Sequence, residues 1–228
     1  SYGFSMNRNL FSSTTRYAGG IDLKRTFTTE DLDSLPVPEP LRYNLQDYWL
    51  SRSFFLNKES VSRLTLGMRY TVNNVFSKPS ITAFSYYSLQ KYRMLMGEAA
   101  FSVQRYYKTN LIYGYGRVED IPYGGLVKIT AGHEINEFKK RSYMGGEVSF
   151  GGSIRTLGYF YTSAGFSTFL NKGAMEQGII SLKMRYFSNL VYIGSHRIRN
   201  FINIDYTKGI DRYSDEYLRY IPDNGLSG

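Results

Sequence analysis

Along most of this chain apolar side chains fall at every second position. Between about Ser62 and Asn73, Leu64, Leu66, Met68, Tyr70 and Val72 share one face, while Arg63, Thr65, Gly67, Arg69 and Thr71 share the other. That is the period of a β-strand. From about Leu126 to Asn136, Val127, Ile129, Ala131 and Ile135 alternate with Lys128, Thr130, Gly132 and Glu134. From about Arg141 to Gly152, Met144, Gly146, Val148 and Phe150 oppose Arg141, Tyr143, Gly145, Glu147 and Ser149. Two further segments repeat the pattern, one from about Gln177 to Tyr186 and one from Arg197 to Tyr206, where Ile198, Ile202, Ile204 and Tyr206 oppose Arg197, Arg199, Asn203 and Asp205. One face is aliphatic or aromatic, and the other mixes charge, glycine and hydroxyl.

Weaker alternation around Tyr2 to Phe11, Tyr17 to Phe27, Leu45 to Leu56, Leu95 to Arg105, Leu111 to Arg117 and Leu157 to Leu170 brings the count to roughly eleven or twelve strands of about 10 to 14 residues, the length that spans a bilayer. Strands of soluble sheets average about 5 to 6 residues. The pattern predicts an all-β fold, an antiparallel transmembrane β-barrel forming a single domain over residues 1–228. A soluble β-sandwich would leave the same alternation and is the alternative fold. A helical membrane protein is excluded, since the longest apolar run, Leu190 to Ile193, is far below the roughly 18 to 20 residues a spanning helix needs. The first residues, Ser1-Tyr2-Gly3, carry neither Met nor a basic and apolar leader, as expected of a mature form or a fragment.

Connections are expected in two kinds, short turns at one rim and long loops at the other. Asn136 to Lys139 and Asn171 to Gly173 read as the short kind. Thr28 to Pro40, with Pro36, Pro38 and Pro40 interrupting any ladder, Val75 to Ser80 and Gly209 to Gly228 read as the long kind. Glu119, Asp120, Pro122 and Gly124 read as a turn, because Pro stops a ladder and Gly permits unusual backbone. Tyrosines at strand ends, such as Tyr106, Tyr107, Tyr113, Tyr115 and Tyr186, suit the water–lipid girdles of a barrel.

Composition narrows the chemistry. Aromatic residues are 17% of 228 residues and Cys is absent, so disorder, a disulfide scaffold and thiolate chemistry are all excluded. The formal charge is +9. Arg63, Arg69, Lys128, Arg141, Lys183, Arg185, Arg197 and Arg199 fall on the polar face of their strands, which predicts a wet, basic lumen able to pair with Glu98, Glu134, Glu147 and Asp205 or to attract anions. Nucleic acid is not expected as a partner, for the cations alternate with aliphatic residues and form no stripe with stacking rings. The two histidines, His133 and His196, leave a barrel hydrolase open as a third reading, with Ser149, Ser163 or Ser181 as nucleophile. The carboxylates are scattered, and no cofactor or metal is expected.

Several segments resemble the surface-antigen barrels of the BamA/TamA superfamily. They are Tyr113 to Gly124, Gln46 to Leu50, and Arg197-Ile198-Arg199 through Tyr206 to Gly209 and Arg212. At the end, Asp223-Asn224-Gly225-Leu226-Ser227-Gly228 is similar to the Gly-rich approach of that superfamily's Arg-Gly-aromatic lumen-loop motif, with Ser227 standing where the Arg would be. The resemblance makes Gly225, Leu226, Ser227 and Gly228 lumen-loop candidates. It implies a barrel of about sixteen strands, of which this chain supplies the larger part without POTRA-type repeats. It also implies an outer-membrane location in a Gram-negative-type cell, assembly of outer-membrane proteins or translocation of a substrate, no covalent chemistry, and the lipid bilayer, client proteins or accessory lipoproteins as partners. The competing reading is a complete barrel acting as a passive pore or adhesin, in which the first and last strands would pair.

Overall fold

The computed structural model describes residues 1–9, 15–30, 39–57, 61–110, 118–154, 156–194 and 196–213. Among these residues twelve strands follow one another in order: β1 (Tyr2–Arg8), β2 (Tyr17–Glu30), β3 (Glu39–Asn57), β4 (Ser62–Ser77), β5 (Tyr92–Asn110), β6 (Val118–Asn136), β7 (Lys140–Ile154), β8 (Gly158–Asn171), β9 (Ala174–Ser188), β10 (Val191–Ile193), β11 (His196–Ile198) and β12 (Phe201–Ile210). Ten form one antiparallel sheet in the order β1 to β9, then β12, and β10 pairs only with β11. The sole helical element among the described residues is a 3-10 turn at Tyr87–Leu89.

Each strand pairs with its sequence neighbour, so side chains in register form rows across the sheet. One row runs Phe54, Leu64, Phe101, Val127, Val148, Ala164, Leu182 and Tyr206. The next runs Leu66, Ala99, Ile129, Gly146, Phe166 and Ile180. This apolar face is bare: Leu50 is 58%, Met68 57%, Ile129 63% and Val148 54% exposed. The polar face is the buried one, with Asp47 at 4%, Arg141 at 1% and Glu134 at 0%. Among the described residues no second sheet covers it, and a single sheet buries a face only by curling toward it. We call the polar face inner and the apolar face outer.

Two apolar clusters close the ends of the inner face. Leu41, Val75 and Leu89 pack with Tyr43, Ile81 and Tyr86 at one rim, and Ile121, Tyr159 and Phe187 pack with Tyr107 and Tyr161 at the other. Among the described residues β1 pairs only with β2 and β12 only with β9, so the sheet is not closed.

Four expectations change. The residues read as a turn, Glu119, Asp120, Pro122 and Gly124, lie in β6, opposite Thr109, Lys108, Tyr106 and Gln104. What reads as a turn signal at Gly124 is a twist within the strand: its φ is +135°, and a Cβ there would overlap the Val103 carbonyl. Short and long connections are not segregated, because antiparallel order puts the long 78–91 connection at the same rim as the 137–139 and 172–173 turns. Pro40 pairs with Thr29 within β3 rather than ending a ladder. The segment expected as one strand from Arg197 to Tyr206 divides into β11 and β12. The lumen-loop candidates Gly225, Leu226, Ser227 and Gly228, like Pro36, Pro38 and the strand expected at Leu111 to Arg117, fall outside the described residues.

Candidate functional site: the ion-paired inner face

Four of the eight cations expected on the inner face are held by carboxylates there. Arg69 on β4 grips Asp47 on β3 through both ends of its fork, Nε to Oδ1 and Nη2 to Oδ2 at 2.7 Å each, and Thr71 Oγ1 adds 2.6 Å to Oδ1. Such bidentate, charge-assisted geometry is the strong form of the interaction. Lys128 Nζ on β6 lies 2.7 Å from Glu147 Oε2 on β7, and Ser163 Oγ on β8 donates to Oε1 at 3.2 Å. Arg185 on β9 reaches both Asp205 oxygens on β12 at 2.8 and 2.9 Å. Pairing therefore engages half of the cations that the strand pattern put on this face.

The fourth pair anchors a larger cluster at the rim formed by the β6–β7 and β8–β9 turns. Arg141 Nε donates to Glu134 Oε1 at 2.8 Å, while Nη1 donates to Gln177 Oε1 at 2.6 Å and Glu176 Oε2 at 3.2 Å. Its guanidinium sits 3.7 Å from the centroid of Phe169, a cation–π contact in a desolvated place. Lys139 Nζ and Asn171 Nδ2 complete the shell of Glu176 at 2.6 and 2.9 Å.

The 78–91 connection folds over this cluster. Its Tyr87 hydroxyl donates to Glu134, and its ring stacks on Tyr92 at 5.1 Å. Gln90, fully buried, accepts from Asn136 Nδ2 at 3.0 Å and donates to the Ser85 carbonyl at 3.0 Å. Asn73 Nδ2 holds the carbonyls of Ser88 and Gln90, each at 3.0 Å. Buried polar groups demand partners, and these residues supply most of one another's, with Asn73 Oδ1 and Arg141 Nη2 left over. Burial, then the neighbouring Glu134 carboxylate, pushes the Tyr87 phenol well above its ordinary range and keeps it neutral. Beside the strap, a 750 Å³ cavity on the inner face is lined by residues of β1 to β5, including Asp47, Arg69, Thr71 and Met96.

The remaining expected cations are placed as follows. Arg63 stacks on Phe55, 4.3 Å from its centroid, and Lys183 lies in register with Ser163 and Asp205 on the inner face. Arg199 lies over Phe187 at 5.4 Å, and Arg197 lies over Tyr192 in the β10–β11 hairpin, beyond the sheet. His133 projects from the outer face, in the row with Tyr48, Tyr70 and Leu95. Ser149, Ser163 and Ser181 alternate onto the inner face, so the structure does not bring that histidine to any of them. Among the described residues no group of three or more metal-ligating side chains converges.

Asp47, Tyr87, Gln90, Glu176 and Gln177 belong to the site but were not singled out for it in the sequence. Asp47 shares the parity of Leu45 and Trp49, so no alternation marks it as inner. Tyr87 and Gln90 lie in a connection whose period says nothing. No protein-family model, curated protein or solved structure matches this chain.

Proposed function

We propose that this chain forms part of the wall of an outer-membrane β-barrel of the assembly or translocation type, one that inserts outer-membrane proteins or moves a substrate and performs no covalent chemistry. The observation that carries the membrane part is the inverted sheet, with rows of exposed Leu, Val, Ile, Phe and Met outside and ion pairs inside, of which Arg141–Glu134 is fully buried. Soluble monomers rarely bare apolar patches beyond a few hundred Å², whereas a spanning barrel requires such a band. On β6 the band from Gly125 to Ile135 covers ten residue steps, about 33 Å of strand. Tilted by about 40°, it stands about 25 Å tall, the height of a lipid-facing band.

The assembly or translocation part rests on the resemblance to BamA/TamA-type barrels, with two supporting observations. A passive pore closed on these strands needs β1 to pair with β12, and it does not. Its lumen would also need to be open, yet the 78–91 strap is pinned across one end of the inner face. The test is depletion of the protein in its native cell, with outer-membrane β-barrel proteins measured in the membrane fraction. Loss of several barrels together supports an assembly role, and loss of a single exported substrate supports translocation. Unchanged levels of both, with ion conductance by the purified protein, would favour the pore.

A further inference from the structure

The β9–β12 ladder continues past the edge of its neighbour. β8 begins at Gly158, which pairs with Ser188, and there the Ser188 amide donates to the Asn200 carbonyl at 2.9 Å while the Asn200 amide donates to Ser188 Oγ at 3.0 Å. Beyond this clasp β10 and β11 pair as a separate hairpin, Val191 with Ile198, Tyr192 with Arg197 and Ile193 with His196. All six residues are exposed. Alternation gathers Val191, Ile193, Ile198 and, opposite Ile193, His196 on one face and leaves Tyr192 and Arg197 on the other, with the guanidinium 5.7 Å from the ring centroid.

A hairpin this short is marginal in water, and three bare aliphatic side chains do not stabilise it there. Two observations choose what covers it. No Asp or Glu occurs from Asn189 to Asn200, a stretch that holds Arg197 and Arg199, and Arg197 makes no ion pair among the described residues. The base of the hairpin also adjoins the last row of the outer apolar band, Phe160, Tyr186 and Ile202. Aliphatic on one side apart from His196 beside the turn, cationic on the other and continuous with the lipid-facing band, it has the chemistry of an interfacial anchor.

We infer that the β10–β11 hairpin docks on the surface of an anionic phospholipid leaflet, with Val191, Ile193 and Ile198 in the interfacial zone and Arg197 on headgroup phosphates. This rests on the membrane-barrel reading, so the experiment reports on both. The Cys-free chain takes a nitroxide at Ile193→Cys or, on the outer face, at Val148→Cys. Each is reconstituted in vesicles of phosphatidylcholine with or without phosphatidylglycerol and probed with oxygen, which partitions into lipid, and a water-soluble nickel chelate. The expected result is a lipid-accessible label at both sites when phosphatidylglycerol is present. The Ile193 label should shift toward water in pure phosphatidylcholine, and Arg197→Gln should lower its lipid-to-water ratio about fivefold. A Val148 label in lipid with an Ile193 label in water, or shielded from both probes by protein, overturns the anchor alone. A Val148 label in water removes the membrane reading and the anchor with it.

Discussion

Replacing Arg141 with methionine tests the rim cluster. The new side chain retains an apolar stem against Phe169 but loses the guanidinium and its bonds to Glu134, Gln177 and Glu176. Glu134 is fully buried, so its carboxylate would keep only the Tyr87 hydroxyl and Asn136 Nδ2, 3.3 Å away. Removing one member of a buried pair costs about 3 to 5 kcal/mol, chiefly because the other charge is left uncompensated. Glu176 retains Lys139, 2.6 Å away, which puts the expected cost near the lower end, about 3 kcal/mol. The double variant Arg141→Met with Glu134→Gln strands no charge, and the two changes should couple by about 2 kcal/mol, within the range for residues in one network. Urea unfolding of the reconstituted protein, followed by the fluorescence of Trp49, the single tryptophan, gives both numbers. A cost below about 1 kcal/mol for Arg141→Met, or strict additivity, would refute the claim that this cluster holds the strap on the inner face.

Leu64→Arg and Val148→Arg, in the middle row of the outer face, should each destabilise the protein by about 2 to 4 kcal/mol in vesicles; two neutral outcomes would count against the lipid-facing assignment. Tyr87→Phe should cost about 1.5 to 3 kcal/mol at neutral pH, the range for a hydrogen bond to a charged group, read from the same urea midpoints. Because the folded phenol titrates above its unfolded value, its contribution is complete below pH about 10 and falls as pH rises further, by about 1.4 kcal/mol per unit. Stability of the parent protein should therefore drop faster than that of Tyr87→Phe between pH 10 and 11, and parallel curves would contradict the buried, neutral state. Gly124→Ala forces a Cβ into a left-handed φ and into the Val103 carbonyl, so it should cost at least about 1 to 3 kcal/mol. Faster amide exchange at the β5–β6 rim would localise the damage.

Much of this arrangement was legible because a tight hairpin is symmetric about its turn. With a short turn at 137–139, residues equidistant from it face one another, which brings Glu134 to Arg141 and Lys128 to Glu147, both ion pairs of the inner face. The same reasoning fails where the partner is not directly opposite. Asp47 faces Thr71 and meets Arg69 on the diagonal, in a hairpin whose ladder slips between Phe55 and Asn57, and Tyr87 reaches Glu134 only because the strap crosses the curl of the sheet. The 119–124 segment misled because Pro and Gly mark turns by their local backbone preferences, whereas here the long β5 ladder absorbs both, with Gly124 supplying a twist. The break between β11 and β12 coincides with a lapse in the alternation, Asn200 on the apolar parity and Phe201 on the polar one, which reads as a local defect in one strand because a period of two is blind to which strand is the neighbour. Paired acids and bases were anticipated only in part, because alternation places a cation on a face without saying whether a carboxylate on the next strand lies within reach.

The most direct test of the inverted sheet is a nitroxide scan through β6 from Leu126 to Thr130 in the reconstituted, Cys-free protein. Labels at Val127 and Ile129 should collide with lipid-soluble oxygen and be hidden from the aqueous chelate. Labels at Leu126, Lys128 and Thr130 should show the opposite preference or be shielded by the inner face. A period of two in oxygen accessibility, with the odd positions in lipid, is the result expected. Aqueous accessibility at Val127 and Ile129, or shielding of both from either probe as in a covered core, would contradict it.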